Sequence, residues 1–422
     1  MTLLLKNIRA VDPSQGLDKI TDLYIENGQI TEIGSIDMAA DRVIDGEGRL
    51  TAVPGLFDMH VHFRDPGLTY KEDIITGAAA AKAGGFTGVA CMPNTKPPVD
   101  SPELIRYVFE KAKETGINVI PYACVTKGMQ GKELCDYEEL KKAGIVAISD
   151  DGRPVENAEL MRQALELTNE NGLIVTSHCE DLNIINGGII NKGEVSKQLG
   201  VKGMDRASED SITAREITLA ASCDARIHIC HVSTYGSVNI IRAAKRDGVK
   251  VTCETAPHYF TYTDEKLLSR DADYRMSPPL RTERDRLAIE EALLDGTIDC
   301  IITDHAPHSA EDKADFETAP NGVVGLETSL AVTLTQLYHT GKMSLSKLVE
   351  VMAINPRRIL GLPEVSIKKG AFAELCIFDP ELEWTVEPEK LHSKSKNTVF
   401  KGERLKGRTV YTICRGKIVY EL

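Results

Sequence analysis

Short apolar runs alternate with helix-like segments through the middle of the chain. The runs have the length and composition of strands that are buried on both faces, as in a parallel sheet. The eight predicted strands are 53–63, 86–92, 118–125, 145–149, 173–178, 225–232, 249–255 and 298–303.

The segments between these runs have helical composition. Several of them follow Ser, Asp or Asn and end near a glycine, such as Gly84, Gly116, Gly172 and Gly248, which is typical of capped helices. The predicted helices are 72–83, 101–115, 156–171, 211–222, 235–246 and 284–294. Strands that alternate with crossover helices over roughly 300 residues predict an α/β fold, a closed (β/α)8 TIM barrel. An open doubly wound sheet is the main alternative.

The two ends of the chain have a different pattern. Residues 1–52 alternate short strand-like pieces with turn signals such as Asn27-Gly28, and the last part of the chain repeats this style. Neither end is long enough to bury a core of its own. We therefore predict that residues 1–52 and 364–422 fold together as a small β-sandwich domain. Residues 53–363 are predicted to form the barrel, which is the catalytic domain.

Composition limits the partners that the protein can have. The 422 residues carry a net charge of -13, and no cluster of Lys and Arg interrupts this acidic balance, so nucleic acid is not expected to bind. The N-terminus has no basic leader, and no apolar window is long enough for a membrane span. The ten cysteines form no Cys-x-x-Cys pair, which gives no support for disulfides or a zinc ribbon. We expect a cytoplasmic protein that does not bind a membrane.

Residues with metal-binding chemistry end or follow several predicted strands. His60 and His62 stand two apart on the first strand, so both imidazoles point to the same side. The carboxyl ends of barrel strands share one edge, where barrel enzymes assemble their active sites. The residues expected at that edge are His60, His62, Asp150, Asp151, His178, His231 and Asp304.

Four histidines and two carboxylates are too many ligands for one tetrahedral ion. Two divalent ions that share a bridging carboxylate fit the set better, and Asp151 is the candidate for the bridge. Ligands of this type favour zinc, although nitrogen-rich mixed sites also accept cobalt or manganese. The sequence therefore predicts two divalent metal ions, with Zn²⁺ favoured.

Longer motifs surround these residues. They are Pro54-Gly55-Leu56-Phe57-Asp58-Met59-His60-Val61-His62-Phe63-Arg64-Asp65-Pro66-Gly67, Met92-Pro93-Asn94-Thr95, Ser149-Asp150-Asp151-Gly152, Ser177-His178-Cys179-Glu180, His231-Val232-Ser233, Glu254-Thr255-Ala256-Pro257-His258 and Thr303-Asp304-His305-Ala306-Pro307-His308. Together they resemble the amidohydrolase superfamily and, within it, the dihydroorotases of the bacterial stand-alone type. The resemblance covers nearly the whole chain, including the flanking segments that form a small β-domain in this superfamily.

The resemblance implies a ligand set. Many relatives bridge their metals with a carboxylated lysine at the end of the fourth strand. Here Lys141 and Lys142 precede that strand, whereas Asp151 can occupy its end, as in the dihydroorotases that bridge with aspartate. The implied ligands are His60, His62 and Asp304 for one ion, His178 and His231 for the other, and Asp151 between the two.

The resemblance also implies how a substrate binds. In the family, a substrate carboxylate is held by an Arg two residues after the second His and by an Asn after the second strand, which are Arg64 and Asn94 here. A guanidinium forks onto a carboxylate, and an amide adds one further bond. Many relatives carry Asn at the position of Ser277 and Phe at that of Asn321. The further substrate contacts that the family implies are Ser277, His308, Asn321 and Gly322.

The implied reaction is the reversible cyclisation of N-carbamoyl-L-aspartate to L-dihydroorotate plus water, in de novo pyrimidine (UMP) biosynthesis. In the ring-opening direction, a hydroxide that bridges two metals attacks the ring carbonyl while one metal polarises its oxygen. Asp304 is the expected general acid and base, which accepts the proton of the hydroxide and delivers it to the leaving nitrogen. The resemblance also suggests a homodimer.

Two other functions stay open. The first is another cyclic amidase, such as a hydantoinase, dihydropyrimidinase or allantoinase; most of these use the strand-four lysine and need no arginine for a substrate carboxylate. The second is a catalytically inactive homologue that serves as a scaffold, whose signature would be the loss of metal ligands. Arg64, Asn94 and Asp151 favour a dihydroorotase, and no metal ligand is missing.

The remaining histidines and loops carry simpler expectations. His228 is expected on the strand face that points away from the site, and Asp150 is expected to cap its loop. His258 and His305 are expected to orient ligands or loops. The charged stretch 309–325, which follows the eighth strand, is a candidate lid over the substrate.

Overall fold

The computed structural model describes residues 2–422. Eight parallel strands at its centre pair in the order in which they occur along the chain. Bridges between Ala123 and Ile148 and between Val61 and His305 join the two halves of this sheet, so the barrel closes and the open sheet is excluded. The barrel strands are Leu56–Val61, Phe86–Cys91, Asn118–Pro121, Ala147–Ile148, Ile174–Ser177, Ile227–Ile229, Val251–Thr255 and Cys300–Ile301.

Helices pack around the barrel, and their ends follow the capping residues of the sequence. Asp73 accepts hydrogen bonds from the backbone N–H groups of Ile75 and Thr76 at the start of the first helix. Asn157 caps the fourth helix, and Gly172 ends it with a φ of 63°. The helices are Ile74–Ala83, Pro102–Ala112, Tyr137–Ala143, Ala158–Asn171, Leu182–Ile185, Glu194–Leu199, Ala207–Ser222, Tyr235–Arg246, Pro257–Thr261, Glu283–Asp295, Ser329–Thr333, Leu345–Val349 and Asn355–Ile359, with π-helical turns at Leu334–Tyr338 and Glu350–Ile354.

The first predicted strand is divided between two sheets. Residues Thr51–Pro54 pair with Leu375–Thr385 in the small domain, whereas Leu56–Val61 belong to the barrel. Gly55 lies at the division, where a Cβ atom would be 2.3 Å from the side chain of Thr87. The chain therefore changes sheet at a position where a larger residue would displace its neighbour.

Strands from both chain ends form one mixed sheet beside the barrel. Its two ends approach each other, because a Cβ atom on Gly416 would lie 2.5 Å from the Cα atom of Gly28. Apolar side chains from both halves of the bent sheet, such as Leu5 and Ile377, share a separate core. The expected β-domain is thus present. Its strands are Thr2–Asp12, Leu17–Glu26, Gln29–Gly34, Arg42–Asp45, Thr51–Pro54, Leu375–Thr385, Arg404–Cys414 and Lys417–Glu421.

One segment of the predicted small domain lies against the barrel instead. Residues 391–400, which we call the C-terminal strap, contact loops that follow the first and eighth barrel strands. Ser395 Oγ donates to the carbonyl oxygen of Lys71 at 2.6 Å, and Asn397 Oδ1 accepts from the backbone N–H of His308 at 3.1 Å. The sequence did not indicate this contact, and the domain limits at residues 52 and 364 stay a prediction.

The ten cysteines are free thiols, and all of them except Cys223 are buried. Within residues 2–422, no helix has both the length and the apolar character needed to cross a membrane.

Candidate active site

The six predicted metal ligands lie together at the carboxyl ends of the barrel strands. Closure of the barrel, rather than proximity along the chain, brings them into one group. Two of them have left-handed backbone conformations, with φ values of 47° at Asp304 and 31° at His231, which persist only where the surrounding structure fixes the chain. The buried members of the group are His60, His62, Asp151, His178, His231 and Asp304.

The carboxylate of Asp151 lies at the centre of the group. Its Oδ1 atom is 3.4 Å from His60 Nε2 and 3.5 Å from His178 Nδ1. The same oxygen is 3.6 Å from His231 Nε2, and Oδ2 is 3.4 Å from His62 Nε2. One carboxylate therefore faces all four imidazoles, as a bridging ligand must.

Acceptors on the outer side of the rings orient three of the imidazoles. The pairs are His60 Nδ1 with Glu254 Oε1 at 2.5 Å, His62 Nδ1 with Asn94 Oδ1 at 2.8 Å and His178 Nε2 with Glu180 Oε2 at 2.7 Å. A ring N–H that donates outward leaves the other nitrogen with a lone pair, which is the form in which histidine binds a metal. In each ring that other nitrogen faces Asp151.

The acidic side chains make this cluster attract positive charge. Burial disfavours the ionised form of Asp151, but the neighbouring imidazoles, led by His60, outweigh burial and hold the pKa of Asp151 well below its usual value. Burial also favours neutral His178, yet its interactions with the carboxylates of Asp151 and Glu180 raise the pKa of His178 to about 10. Divalent ions can supply this positive charge in place of protons.

The ligands form two overlapping groups whose donor atoms lie within 4.8 Å of one another. Within residues 2–422, His60 Nε2 and Asp151 Oδ1 are buried and have no hydrogen-bond partner, as expected for atoms that bind an ion. The donor set therefore fits a pair of metal ions. The groups are His60, His62 and Asp151, and Asp151, His178 and His231.

Asp304 lies beside the first group and is ionised. Its Oδ1 atom is 3.1 Å from His62 Nε2 and 3.6 Å from His60 Nε2. Burial opposes ionisation of Asp304, but the hydrogen bond with His62 and the charges of the nearby imidazoles lower its pKa. An ionised carboxylate next to the ligands can both bind a metal and accept a proton.

No lysine competes with Asp151 for the bridging position in the described part of the chain. Lys141 and Lys142 are exposed on the helix that precedes the fourth barrel strand. Asp150, the neighbour of Asp151, accepts from the backbone N–H of Val125 at 2.8 Å, so it caps the loop that follows the third barrel strand and not its own loop. The aspartate predicted from the sequence is therefore the residue that faces the imidazoles.

A cavity of about 350 Å³ opens beside the metal-binding cluster. His60 does not line this cavity, whereas the other predicted site residues do. These lining residues are His62, Arg64, Asn94, Asp151, His178, His231, Ser277, Asp304, His308, Asn321 and Gly322.

Arg64 places a buried cation at this cavity. It is 8% exposed and has a φ of 58°. Its Nε donates to the carbonyl oxygen of Pro307 at 3.3 Å, and no carboxylate oxygen among the described residues lies within 4 Å of its guanidinium. A buried guanidinium without a carboxylate partner can bind an anionic ligand.

The amide of Asn94 contacts a histidine of the cluster and also lines the cavity. Its Oδ1 accepts from His62, while its Nδ2 has a long hydrogen bond of 3.4 Å to the carbonyl oxygen of Asp151. Both Asn94 and Arg64 line the cavity. The amide N–H can therefore add a bond to an anion that Arg64 holds.

His308 is a neutral, fully hydrogen-bonded residue in the cavity wall. Its Nε2 donates to the carbonyl oxygen of Asn321 at 2.9 Å, and its Nδ1 accepts from Lys71 Nζ at 3.0 Å. Burial and the charges of Arg64 and Lys71 lower the pKa of His308 to about 2. Asn321 Oδ1 accepts from Arg275 at 3.4 Å, so a direct substrate contact by His308 or Asn321 stays a prediction.

Ser277 is directed at another side chain of the site. Its hydroxyl donates to Glu180 Oε2 at 2.7 Å, and the same oxygen accepts from His178. Glu180 Oε1 is buried and has no hydrogen-bond partner among residues 2–422. The substrate contact predicted for Ser277 stays untested, while its hydrogen bond to Glu180 connects it to a metal-binding histidine.

Glu254 and His228 correct one expectation from the sequence. His228 lies inside the barrel, with its Nε2 3.1 Å from Glu254 Oε2 and its Nδ1 2.8 Å from Thr252 Oγ1. Because Glu254 also accepts from His60, the predicted placement of His228 away from the site is wrong. Glu254 belongs to a quoted motif, but only the structure identifies its partners.

His258 and His305 lie next to the site. The carbonyl oxygen of His305 accepts from the backbone N–H of His62 at 2.8 Å, and its Nδ1 accepts from Gly325 N at 3.2 Å, so it orients a loop as expected. Burial lowers the pKa of His258 to about 4. His258 packs against Tyr259 with 4.2 Å between ring centroids.

Solved structures with the same fold are cyclic amidases. An L-hydantoinase (dihydropyrimidinase) from Arthrobacter aurescens matches with a TM-score of 0.86 and 26% identity, covering 99% of this chain and 96% of that chain. A dihydropyrimidinase from Brevibacillus agri matches with a TM-score of 0.85 and 24% identity, covering 100% and 95%. The barrel with its β-domain is therefore confirmed.

The relatives found by sequence identify the family more narrowly than these solved structures do. A family model described as dihydro-orotase-like matches residues 48–237. A dihydroorotase from Geobacter metallireducens is 51% identical over 425 residues, covering 100% of both chains. A dihydroorotase from Syntrophus aciditrophicus is 46% identical over 427 residues, again covering 100% of both chains. The chain therefore belongs to the dihydroorotase family.

Proposed function

We propose that this chain catalyses the reversible cyclisation of N-carbamoyl-L-aspartate to L-dihydroorotate and water, in de novo pyrimidine biosynthesis. The observation that carries the proposal is the buried Arg64, which faces the same cavity as the metal-binding cluster and has no protein carboxylate as a partner. Both compounds combine a carboxylate with the amide that is made or broken. A guanidinium beside a hydrolytic metal site suits this combination.

The proposed cofactor is a pair of divalent metal ions, with zinc favoured by the mixture of imidazole and carboxylate ligands. Such ions, when bound, activate water near neutral pH and polarise a carbonyl oxygen. The residues proposed to hold them are His60, His62 and Asp304 for one ion, His178 and His231 for the other, and Asp151 for both.

Arg64 and Asn94 are proposed to orient the substrate. The guanidinium of Arg64 forks onto the substrate carboxylate, and the amide N–H of Asn94 adds a further hydrogen bond. This grip places the reacting amide against the cluster around Asp151, since all three residues line one cavity. Ser277, His308, Asn321 and Gly322 are proposed to complete the substrate pocket.

Asp304 is proposed to move the proton of the reaction. In ring opening, its ionised carboxylate accepts a proton from the attacking water and then delivers it to the ring nitrogen as the carbon–nitrogen bond breaks. In ring closure, the same carboxylate takes the proton from the attacking ureido nitrogen and returns it to the departing water. Its position beside His62 keeps it ionised before either reaction begins.

Purified protein with its metal content determined tests the proposal. We expect interconversion of L-dihydroorotate and N-carbamoyl-L-aspartate, with about two metal ions per chain. Turnover that chelation abolishes and metal restores would support the assignment. Absence of turnover in protein that retains both metals would contradict it.

The same assay distinguishes the other cyclic amidases and the inactive scaffold. A hydantoinase or dihydropyrimidinase would hydrolyse a cyclic amide without a carboxylate and would not depend on Arg64. A scaffold would bind no metal even after zinc addition. The convergence of the ligands on Asp151 and the cation at Arg64 favour the dihydroorotase.

We also propose that the protein is a cytoplasmic homodimer that acts on small molecules. The dimer is suggested by the family, and light scattering of the purified protein at several concentrations tests it. A monomer at all concentrations would contradict the dimer without affecting the proposed reaction.

A further inference from the structure

Asn397 of the C-terminal strap joins two parts of the long loop that follows the eighth barrel strand. Its Oδ1 accepts from the backbone N–H of His308 at 3.1 Å, and its Nδ2 donates to the carbonyl oxygen of Gly322 at 3.0 Å. Its own carbonyl oxygen accepts from Val324 N at 3.0 Å. The side chain is 5% exposed, so water does not replace these bonds while the strap is in place.

We propose that Asn397 is a positioning residue that sets the spacing between the His308 and Gly322 parts of this loop for substrate binding. This inference rests on the proposed function, because it concerns the pocket that receives the substrate. Asn397 does not line the cavity, whereas both of its partners do. It therefore acts through the backbone of its partners and not by touching the substrate.

The packing between the two parts of the loop leaves little freedom. A Cβ atom on Gly322 would lie 2.6 Å from the carbonyl oxygen of Ala306 and 2.9 Å from His308 Cδ2. A small shift of either part therefore alters the wall of the cavity. One side chain that bonds both backbones fixes their separation more precisely than apolar packing does.

The strap holds the His308 region by a second connection. Ser395 Oγ donates to the carbonyl oxygen of Lys71 at 2.6 Å, and Lys71 Nζ donates to His308 Nδ1 at 3.0 Å. The strap thus bonds the backbone of His308 through Asn397 and reaches its ring through Lys71. Both connections come from a segment that lies between two strands of the small β-domain.

The test compares two variants of the full-length metal-loaded protein. Asn397→Ala removes both side-chain hydrogen bonds. Asn397→Asp keeps the oxygen that accepts from His308 N, but its second carboxylate oxygen repels the carbonyl oxygen of Gly322. We expect KM for L-dihydroorotate to rise about tenfold in Asn397→Ala, with kcat within about threefold of wild type and unchanged metal content. We expect KM to rise in Asn397→Asp as well.

Asn355→Ala is the matched control, because Asn355 Nδ2 donates to the carbonyl oxygen of Asp299 at 2.8 Å on the far side of the barrel. Its KM should equal that of wild type. If Asn397→Ala does not fold, Asn397→Asp decides. A purely structural role would leave KM unchanged and lower kcat only as far as the fraction of folded or metal-loaded protein falls. That result would overturn the inference.

Hydrogen exchange of residues 305–325 gives a readout that does not need turnover. We expect faster exchange in Asn397→Ala than in wild type or Asn355→Ala. Unchanged exchange together with unchanged KM overturns the inference. If wild type does not turn over L-dihydroorotate but exchange is faster in Asn397→Ala, the result supports the positioning of this loop by Asn397 and contradicts the proposed function instead.

Discussion

Glu254 orients His60, a proposed metal ligand, from inside the barrel. Its Oε1 accepts from His60 Nδ1 at 2.5 Å, and its Oε2 lies 3.1 Å from His228 Nε2. Burial opposes ionisation of Glu254, but the charges of His60 and His228 hold its pKa below the usual value. An ionised acceptor on the outer ring nitrogen keeps the inner nitrogen available for a metal.

Glu254→Gln tests this role. The neutral amide is a weaker acceptor, so we expect metal affinity to fall about 10–100-fold. Chelator competition measures the dissociation constant directly. Glu290→Gln is the control, because Glu290 pairs with Arg286 and Lys342 on the outside of the barrel. Equal affinity of both variants and wild type would contradict the role of Glu254.

Asp304→Asn tests the proton transfer. The amide cannot accept the proton, so we expect kcat per bound metal to fall by about 10³-fold. Metal content is determined on the same sample, since Asp304 is also a proposed ligand. Asp65→Asn is a matched control, because Asp65 is buried but accepts from Tyr107 and Lys111 away from the cluster. Activity that falls only as far as metal content falls would contradict the assignment.

The sequence could place some residues of the site but not others. His60 and His62 were placed by strand alternation, and Asp151 by its position after the fourth strand. Asn397 could not be placed, since its partners depend on how a segment of the small domain docks onto the barrel. The hydrogen bond from Ser277 to Glu180 could not be placed either, since it depends on how two barrel loops that are 97 residues apart in the chain meet.

At the scale of elements, the candidate lid 309–325 is anchored to a neighbouring loop. The buried Lys313 Nζ donates to the carbonyl oxygens of Ala272, Arg275 and Pro320 at 3.0, 3.1 and 2.9 Å. Three carbonyl acceptors saturate the three N–H bonds of an ammonium group. If this segment opens, the hydrogen bonds to Ala272 and Arg275 must break, or the neighbouring loop must move with it.

Lys313→Met tests the anchor. It removes the three hydrogen bonds of the Lys313 ammonium group, so we expect chymotrypsin to cleave at the buried Phe316 at least about tenfold faster. Mass spectrometry of the fragments measures the rate. Lys127→Met, at an exposed position, should leave cleavage unchanged. Protection of wild type by substrate would support a lid, and equal cleavage of the Lys313 variant and wild type would contradict the anchor.

The barrel elements were predictable because each strand is a short apolar run and several helices begin at a capping residue, such as Asp73 and Asn157. The sheet change at Gly55 was not predictable, since Val53 and Leu56 are equally apolar and only pairing with different partners separates them. The strap 391–400 has loop composition, and nothing in its sequence specifies which loops it contacts.

At the scale of the whole molecule, the metal ions are expected to contribute to stability. Bound ions favour the folded state by mass action, and an ion at 100 times its dissociation constant adds about 2.7 kcal/mol. We therefore expect chelation to lower the melting temperature and zinc to restore it. A chelator saturated with zinc beforehand is the control. A melting temperature that does not respond to chelation would contradict a metal site built from these ligands.

The strap connects the small β-domain to the wall of the cavity. Its contacts with Lys71, His308 and Gly322 join that domain to the loops that follow the first and eighth barrel strands. We therefore expect the barrel to supply the metal ligands and the β-domain to help fix the pocket wall.

The central claim is that Arg64 selects a carboxylated cyclic amide for a metal-dependent reaction. The most direct test is kcat/KM for L-dihydroorotate and for dihydrouracil, the same ring without the carboxylate, in wild type and Arg64→Ala. We predict that wild type prefers L-dihydroorotate and that Arg64→Ala lowers kcat/KM for it by about 100-fold or more, with little effect on dihydrouracil. An equal loss on both compounds, or a wild type that prefers dihydrouracil, would contradict the claim.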